Sequence, residues 1–430
     1  MRKKWAAACL WLNDHPAVVA VGVALVGMLV SYFRMRPVER GVLYAEDGSL
    51  FLQTWISHPS PLLIIQPYTG YLHFIPWVLS GIVSLLPIAW WAQAVTWASA
   101  ACVGWCSGVA WYCCRDRVEA WPTRLLVATV PVLLPLSGVE PLGTLCNVHW
   151  WAFYVVLWTL LFRPPSRVTA VVLSVSVAFW TLSEIQTSVL APLALWVAWK
   201  RHENRLVGVT ALVGMACQFS AFLAQGRTAT GADTFSQQSL VRGLIVNVAF
   251  GPYTSSGLVI GDLVNAVGLI AGFAPLLVTV MPVVFMAIAR SGWRRAVLTC
   301  YLCLAGIFVY FIAVVANGVD YYHDSSFTTP MRYGMGACFL LLSASILGLD
   351  SLARRRKRAI LTAAGWVALL VTMQLFSFTS VNQVRTQPEW RTAVTEGVQT
   401  CSQGNATTVE LPGAPIPDVF YVTVPCDRLI

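Results

Sequence analysis

The residues whose types and spacing suit chemistry begin with an adjacent acid pair, Glu46 and Asp47, in "GVLYAEDGSLFLQTW" (41–55). Two neighbouring carboxylates repel, which pushes one of them toward proton exchange in the working pH range. Such a pair can take up a proton from a hydroxyl that it faces. A plainer role competes: Asp47 can cap the helix that "EDGSLFLQTW" would start, leaving Glu46 exposed. Further polar groups gather at the ends of apolar runs. Gln66, Tyr68, Tyr71 and His73 follow the pair, and "SGVEPLGTLCNVHWW" supplies Glu140, Asn147, His149 and Trp150. "WTLSEIQTS" adds Glu184, and "NGVDYYHDSSFTTPMRYG" adds His323, Arg332 and Tyr333. Aromatic faces stack on the C–H surfaces of sugars, carboxylates and amides bind hydroxyls, and an arginine forks onto phosphate. Each group also has an ordinary reading. Trp and Tyr populate interfacial belts, His149 can be a hydrogen-bonded interfacial residue, and Arg332 can anchor a helix by snorkelling.

The elements that must position these groups are apolar. The 430 residues are 57% hydrophobic and 11% charged, with mean hydropathy +0.68, which is the composition of a polytopic membrane protein. The run at 17–33 follows the basic start "MRKKW" without a small-residue cleavage site, and reads as a retained helix. Apolar runs recur near 70–87, 89–112, 124–137, 149–162, 168–182, 186–199, 206–224, 260–289, 296–316, 334–350 and 359–379. Short basic separators ("CCRDRVEAWPTR", "RPPSR", "KRHENR", "RSGWRR", "ARRRKR") alternate with longer acidic and aromatic ones. The positive-inside rule puts the basic set and the N-terminus in the cytoplasm. That side then carries 19 of the 28 Lys and Arg, and the acid pair lies outside. The basic balance therefore reports orientation in a bilayer, not nucleic-acid binding.

Two apolar runs separate the acid-pair loop from the basic "CCRDR", yet a change of side needs an odd number of crossings. The run at 70–87, with His73, Pro76 and Pro87, is the one expected to lie in the outer interface. The expected fold is all-α and polytopic, with about eleven crossings and an extracytoplasmic C-terminus. A first external loop over 34–88 carries the acidic motif, within a membrane domain over 1–380. Residues 381–430 form a small extracytoplasmic segment with β character at "VFYVTV". Ten of the 12 cysteines lie in or near apolar runs, where thiols act as small hydrophobes. Cys401 and Cys426 stand in the polar tail and are expected to form a disulfide.

An acidic motif in the first external loop of a multi-pass chain, followed by "YTGYL", "NVHWW", "MRYG" and a cysteine-bearing external tail, resembles the GT-C superfamily of membrane glycosyltransferases. The resemblance covers most of the chain as architecture. It implies transfer of a sugar from a polyprenyl-phosphate donor to a cell-envelope glycan or lipid-linked acceptor, outside the cytoplasmic membrane. Asp47 would then be the general base, and Glu46 would hold the acceptor or, as in metal-using members, help bind with Asp47 a divalent cation such as Mg or Mn. Arg332 would meet the leaving phosphate, with Tyr333 or His323 beside it. Tyr71, His73, Asn147, His149, Trp150 and Glu184 would line the substrate site. A transporter or flippase of lipid-linked sugars is the competing class, and it calls for ionisable residues near the middle of the crossings. Here the acids gather at the outer ends.

Overall fold

Backbone in hydrocarbon must satisfy its own N–H and C=O groups, so apolar runs fold as helices. The computed structural model is helical throughout, with two short hairpins as its only sheets among the described residues. It describes residues 14–119, 121–226, 237–288, 292–318, 331–353, 357–378, 389–404 and 406–429. The longer helices are α1 (Pro16–Arg34), α2 (Phe74–Ser84), α3 (Trp91–Cys114), α4 (Trp121–Leu133), α5 (Ala152–Leu161), α6 (Arg167–Thr181) and α7 (Ala191–Lys200). They continue as α8 (Arg205–Gln225), α9 (Gly257–Val267), α10 (Phe273–Ile288), α11 (Trp293–Asn317), α12 (Met335–Ala353), α13 (Lys357–Phe376) and α14 (Trp390–Ser402).

Among the described residues, five segments are long and apolar enough to cross a membrane: Pro16–Arg34, His202–Gln225, Gly257–Met286, Trp293–Asn317 and Arg332–Leu352. Other apolar runs fold as shorter helices. The chain is thus an all-α protein with the helices of a membrane protein. The Arg332–Leu352 span is 94% buried and Pro16–Arg34 only 11%, so α12 forms the middle of the bundle and α1 its edge. Val21, Leu25 and Phe33 of α1 stand exposed, a surface that water would oppose and lipid would cover.

Close packing fixes that edge. A Cβ on Gly108 of α3 would lie 2.7 Å from the Ala20 carbonyl and 2.8 Å from Ala24 Cβ of α1. Glycine therefore lets the two backbones meet. At its far end α1 delivers Arg34 into the core. The guanidinium donates to the carbonyls of Val132 (2.7 Å), Leu134 (3.1 Å) and Phe378 (3.0 Å), and to Ser137 Oγ (2.9 Å). These groups cluster where α4 stops and Pro135 begins a 3₁₀ turn, so Arg34 anchors the entry to the 139–147 loop.

The run at 70–87 does not make a spanning helix. Its helical part, α2, has 11 residues, about 16 Å of rise against a hydrocarbon core of about 30 Å. Before it, β1 (Pro67–Tyr68) and β2 (Tyr71–Leu72) form a tight hairpin. Its turn residues Thr69 (φ 49°) and Gly70 (φ 88°) are both left-handed, as a twist-matched two-residue turn requires. Gln218 of α8 pins the hairpin: its Oε1 accepts the Leu72 N–H (2.8 Å), and its Nε2 donates to the carbonyls of Leu72 (3.1 Å) and Thr181 (3.1 Å).

In the tail, α14 packs against β3 (Thr408–Pro412), which pairs antiparallel with β4 (Tyr421–Pro425). Cys401 and Cys426 are joined by a disulfide. Trp390, Leu411, Val422 and Val424 are buried in the same hydrophobic core as the bundle. The described part of 381–430 is therefore packed onto the bundle rather than standing apart from it.

Candidate functional site

The acid pair sits on a loop that the tail holds in place. The Ala45 N–H donates to the Ala414 carbonyl (2.6 Å) and the Ala414 N–H to that of Leu43 (2.9 Å). Gln53 and Thr423 exchange hydrogen bonds of 2.6 and 3.3 Å. Ala45 is held at φ 45°, a conformation that costs a residue with a Cβ about 1–2 kcal/mol. After the pair the chain winds as a π-helix over Asp47–Leu52, then as α-helix over Gln53–Ser57. Gly48 follows the pair for a steric reason. A Cβ there would lie 2.6 Å from Leu43 Cδ2 and 3.0 Å from Val422 Cγ2, under the tail hairpin.

Asp47 is fully buried. Its carboxylate accepts the Leu145 N–H at 3.0 Å and the Cys146 N–H at 2.7 Å. It therefore does cap backbone donors, those of Leu145 and Cys146 in the 141–147 loop. This geometry differs from the proton-accepting role expected of Asp47, because its oxygens are turned into the protein. Glu46 is the more open carboxylate of the pair, and it accepts from the Tyr68 hydroxyl at 3.4 Å. Burial and the adjacent Glu46 hold the Tyr68 phenol well above its usual pKa, so it remains a donor. Burial, with Asp47, Glu46 and Glu140 nearby, likewise keeps Cys146 a thiol rather than a nucleophilic thiolate.

Across from the pair, Arg332 and Glu140 form an ion pair. The Tyr44 hydroxyl donates to Glu140 at 3.2 Å, and burial together with Glu140 raises the Tyr44 pKa. Arg332 also donates to the Tyr333 hydroxyl (3.3 Å) and lies 5.1 Å from the Tyr333 ring centre. Arg332 opposes the pKa rise of both Tyr44 and Tyr68. The Glu46 and Glu140 neighbourhoods thus share one electrostatic field.

The histidines complete the set. His149 Nδ1 is paired with Glu184, whose other oxygen accepts the Gln186 N–H (2.8 Å) and starts the turn into α7. His73 lies 5.5 Å from His149, 4.2 Å from Tyr71 and 5.3 Å from Tyr68, ring centre to ring centre. Trp150 links His149 (4.8 Å) to Tyr333 (5.9 Å). Its buried indole N–H has no hydrogen-bond partner, which leaves a donor among the aromatic rings. Asn147 is spent on the loop itself, donating to Thr144 Oγ1 (3.1 Å) and Cys146 Sγ (3.4 Å).

These contacts form a circuit: Glu46, Tyr68, His73, His149, Trp150, Tyr333, Arg332, Glu140 and Tyr44. Of the expected site residues, it holds Glu46, Arg332, Tyr333, His73, His149 and Trp150; Tyr71 and Glu184 adjoin its two histidines, and Asp47 and Asn147 stand behind it as supports. His323 lies outside the described residues. Tyr44 and Gln218 were not expected to matter. The sequence signals were a tyrosine two residues before Glu46 and a lone glutamine inside an apolar run.

A divalent cation fits the pair poorly. Asp47 faces backbone donors, Glu46 faces Tyr68, and no group of three His, Cys, Asp or Glu among the described residues could hold a metal. No family model matches this chain, and neither curated proteins nor solved structures gave a match.

Proposed function

We propose that this chain is an integral-membrane glycosyltransferase of the GT-C kind. It moves a sugar from a polyprenyl-phosphate donor to a glycan or glycolipid acceptor at the outer face of the cytoplasmic membrane. The observation that carries this reading is the circuit itself: an open carboxylate and an arginine face one aromatic-walled region at one end of an apolar bundle. In this reading Glu46, not Asp47, takes the proton of the acceptor hydroxyl as that oxygen bonds to C1 of the sugar. The C1–O bond to phosphate breaks, and the departing lipid phosphate carries its charge toward Arg332. Tyr71, His73 and Trp150 supply stacking faces and donors for the sugar. His149 and Glu184 fix the rings, and Asp47 holds the loop that carries Asn147 and Glu140.

The same reading puts the N-terminus in the cytoplasm, the tail outside, and about eleven crossings between them, counting the shorter helices. The β1–β2 hairpin supports this count, because it takes the first residues of the 70–87 run out of any crossing. The test uses the purified chain in lipid with a panel of polyprenyl-phosphate hexoses and pentoses and a lipid-linked glycan acceptor. Release of polyprenyl phosphate together with an acceptor heavier by one sugar is the expected result. Movement of the labelled lipid between leaflets, with no change in acceptor mass, would instead identify a flippase.

A further inference from the structure

A cavity of about 730 Å³ lies far from the acid–aromatic circuit. The helices α5 and α7 start beside His149 and Glu184, and their opposite ends, at Leu161 and Lys200, line this cavity. Its lining is sorted along its depth. Arg117, Arg163, Lys200, Arg201, Arg294 and Arg295 surround one end, and no acid is among the lining residues. Pro192, Leu193, Leu298 and Tyr301 line the other. From Lys200 back to Pro192 along α7, or from Trp293 on to Tyr301 along α11, the helix rises about 12 Å. The cavity is therefore a slot with a cationic mouth and an apolar floor.

Basic residues at the cytoplasmic ends of helices are ordinary, but convergence of six on one concavity exceeds what orientation requires. Several are already fixed. Arg201 and Arg117 donate to the Leu161 carbonyl (3.1 and 3.2 Å) and Arg295 to Ser351 (3.0 Å). Arg201 is only 6% exposed, and burial lowers its pKa against the opposing pull of Glu203 and Asp116. A bound anion would relieve that cost. Arg163, Lys200 and Arg294 are exposed; Lys200 lies 4.8 Å from the Trp199 ring and Arg294 5.9 Å from that of Trp293. Cation and indole together mark a headgroup layer.

We propose that this slot binds a phosphate-bearing membrane lipid, with its phosphate among the mouth cations and its first chain segment against Leu193 and Leu298. A soluble phosphate would use the mouth but has no use for the floor, nor for the exposed Trp196, Trp293 and Val297 around it. The proposal needs only a bundle in a bilayer and does not rest on sugar transfer.

The test is native mass spectrometry of the full-length chain with phosphatidylglycerol or phosphatidylcholine of the same chains, and with inorganic pyrophosphate as competitor. Retention of phosphatidylglycerol over phosphatidylcholine by about tenfold or more is expected, the scale of one or two basic residues acting on the headgroup charge. Arg163→Gln with Arg294→Gln should lower phosphatidylglycerol retention by a similar factor. Arg167→Gln with Arg205→Gln, which removes the same charge outside the slot, should leave it unchanged. Equal retention of the two lipids, or equal loss in both double variants, would overturn the site. Full displacement by pyrophosphate would overturn its assignment to a lipid.

Discussion

Asp47 and Cys146 are bonded across 99 residues, the Asp47 carboxylate accepting the Cys146 N–H at 2.7 Å. With the second bond from the Leu145 N–H, this ties the acid-pair loop to the loop that carries Glu140 and leads into His149. Asp47→Asn is therefore not a neutral change. An amide offers one acceptor oxygen and turns its NH₂ toward the other backbone donor. Loss of a buried charge-assisted bond should cost about 1.5–3 kcal/mol. A lower melting temperature in detergent, with the Asp47→Asn chain cleaved faster by protease in 139–147, is the expected outcome. Unchanged stability would mean that the two loops are held by other contacts.

Arg332 and Glu140 separate donor binding from folding. Arg332→Lys keeps the charge but loses the planar fork, so the KM for the lipid-phosphate donor should rise about tenfold while kcat changes less. Glu140→Gln keeps an acceptor for Tyr44 and frees the guanidinium. It should alter donor KM without changing the melting temperature by more than a few degrees. Steady-state kinetics on the two variants checks the contrast.

The His149–Glu184 pair is buried on both sides, so removing one partner strands the other. His149→Leu should destabilise the chain by about 3 kcal/mol or more. The double variant His149→Leu with Glu184→Gln should recover part of that loss, because no buried charge then remains unpaired. Melting temperatures of the four chains close the cycle.

The tail contributes no residue to the circuit, yet its Ala414 and Thr423 hold the backbone on both sides of Glu46. Replacing Cys401 and Cys426 by Ser opens a 25-residue separation, worth about 3 kcal/mol in a chain-entropy account. Tail protease resistance should fall, and transfer activity with it, although no substrate-facing residue has changed. Full activity in a chain with a protease-sensitive tail would remove the tail from the account.

Much of this was legible in sequence because it follows from composition. Apolar length gave the helical membrane class, and two cysteines in a polar tail gave the bonded pair. The two prolines and short run at 70–87 pointed to a short helix there, and α2 has 11 residues. The site was legible as a set of residues, since polar groups at the ends of apolar runs have few reasons to be there. Their pairing was not. Nothing local tells Asp47 from Glu46, because what divides them is the backbone of Leu145 and Cys146, nearly a hundred residues away. The pairing of Arg332 with Glu140 depends in the same way on how α12 meets the 139–147 loop. Gly48 shows the limit in part: beside the local Leu43, a Cβ there would meet Val422, a contact that only the packed tail creates.

The most direct measurement is the cell-envelope glycan profile of three strains: one lacking the protein, and two restored with the wild-type or the Glu46→Gln chain at equal protein level. Glu46→Gln keeps the hydrogen bond from Tyr68 and removes the proton acceptor, so turnover should fall by about 10²–10⁴-fold without loss of stability. A glycan heavier by one sugar in the wild-type strain only is the expected result. The same glycan in all three strains would contradict it.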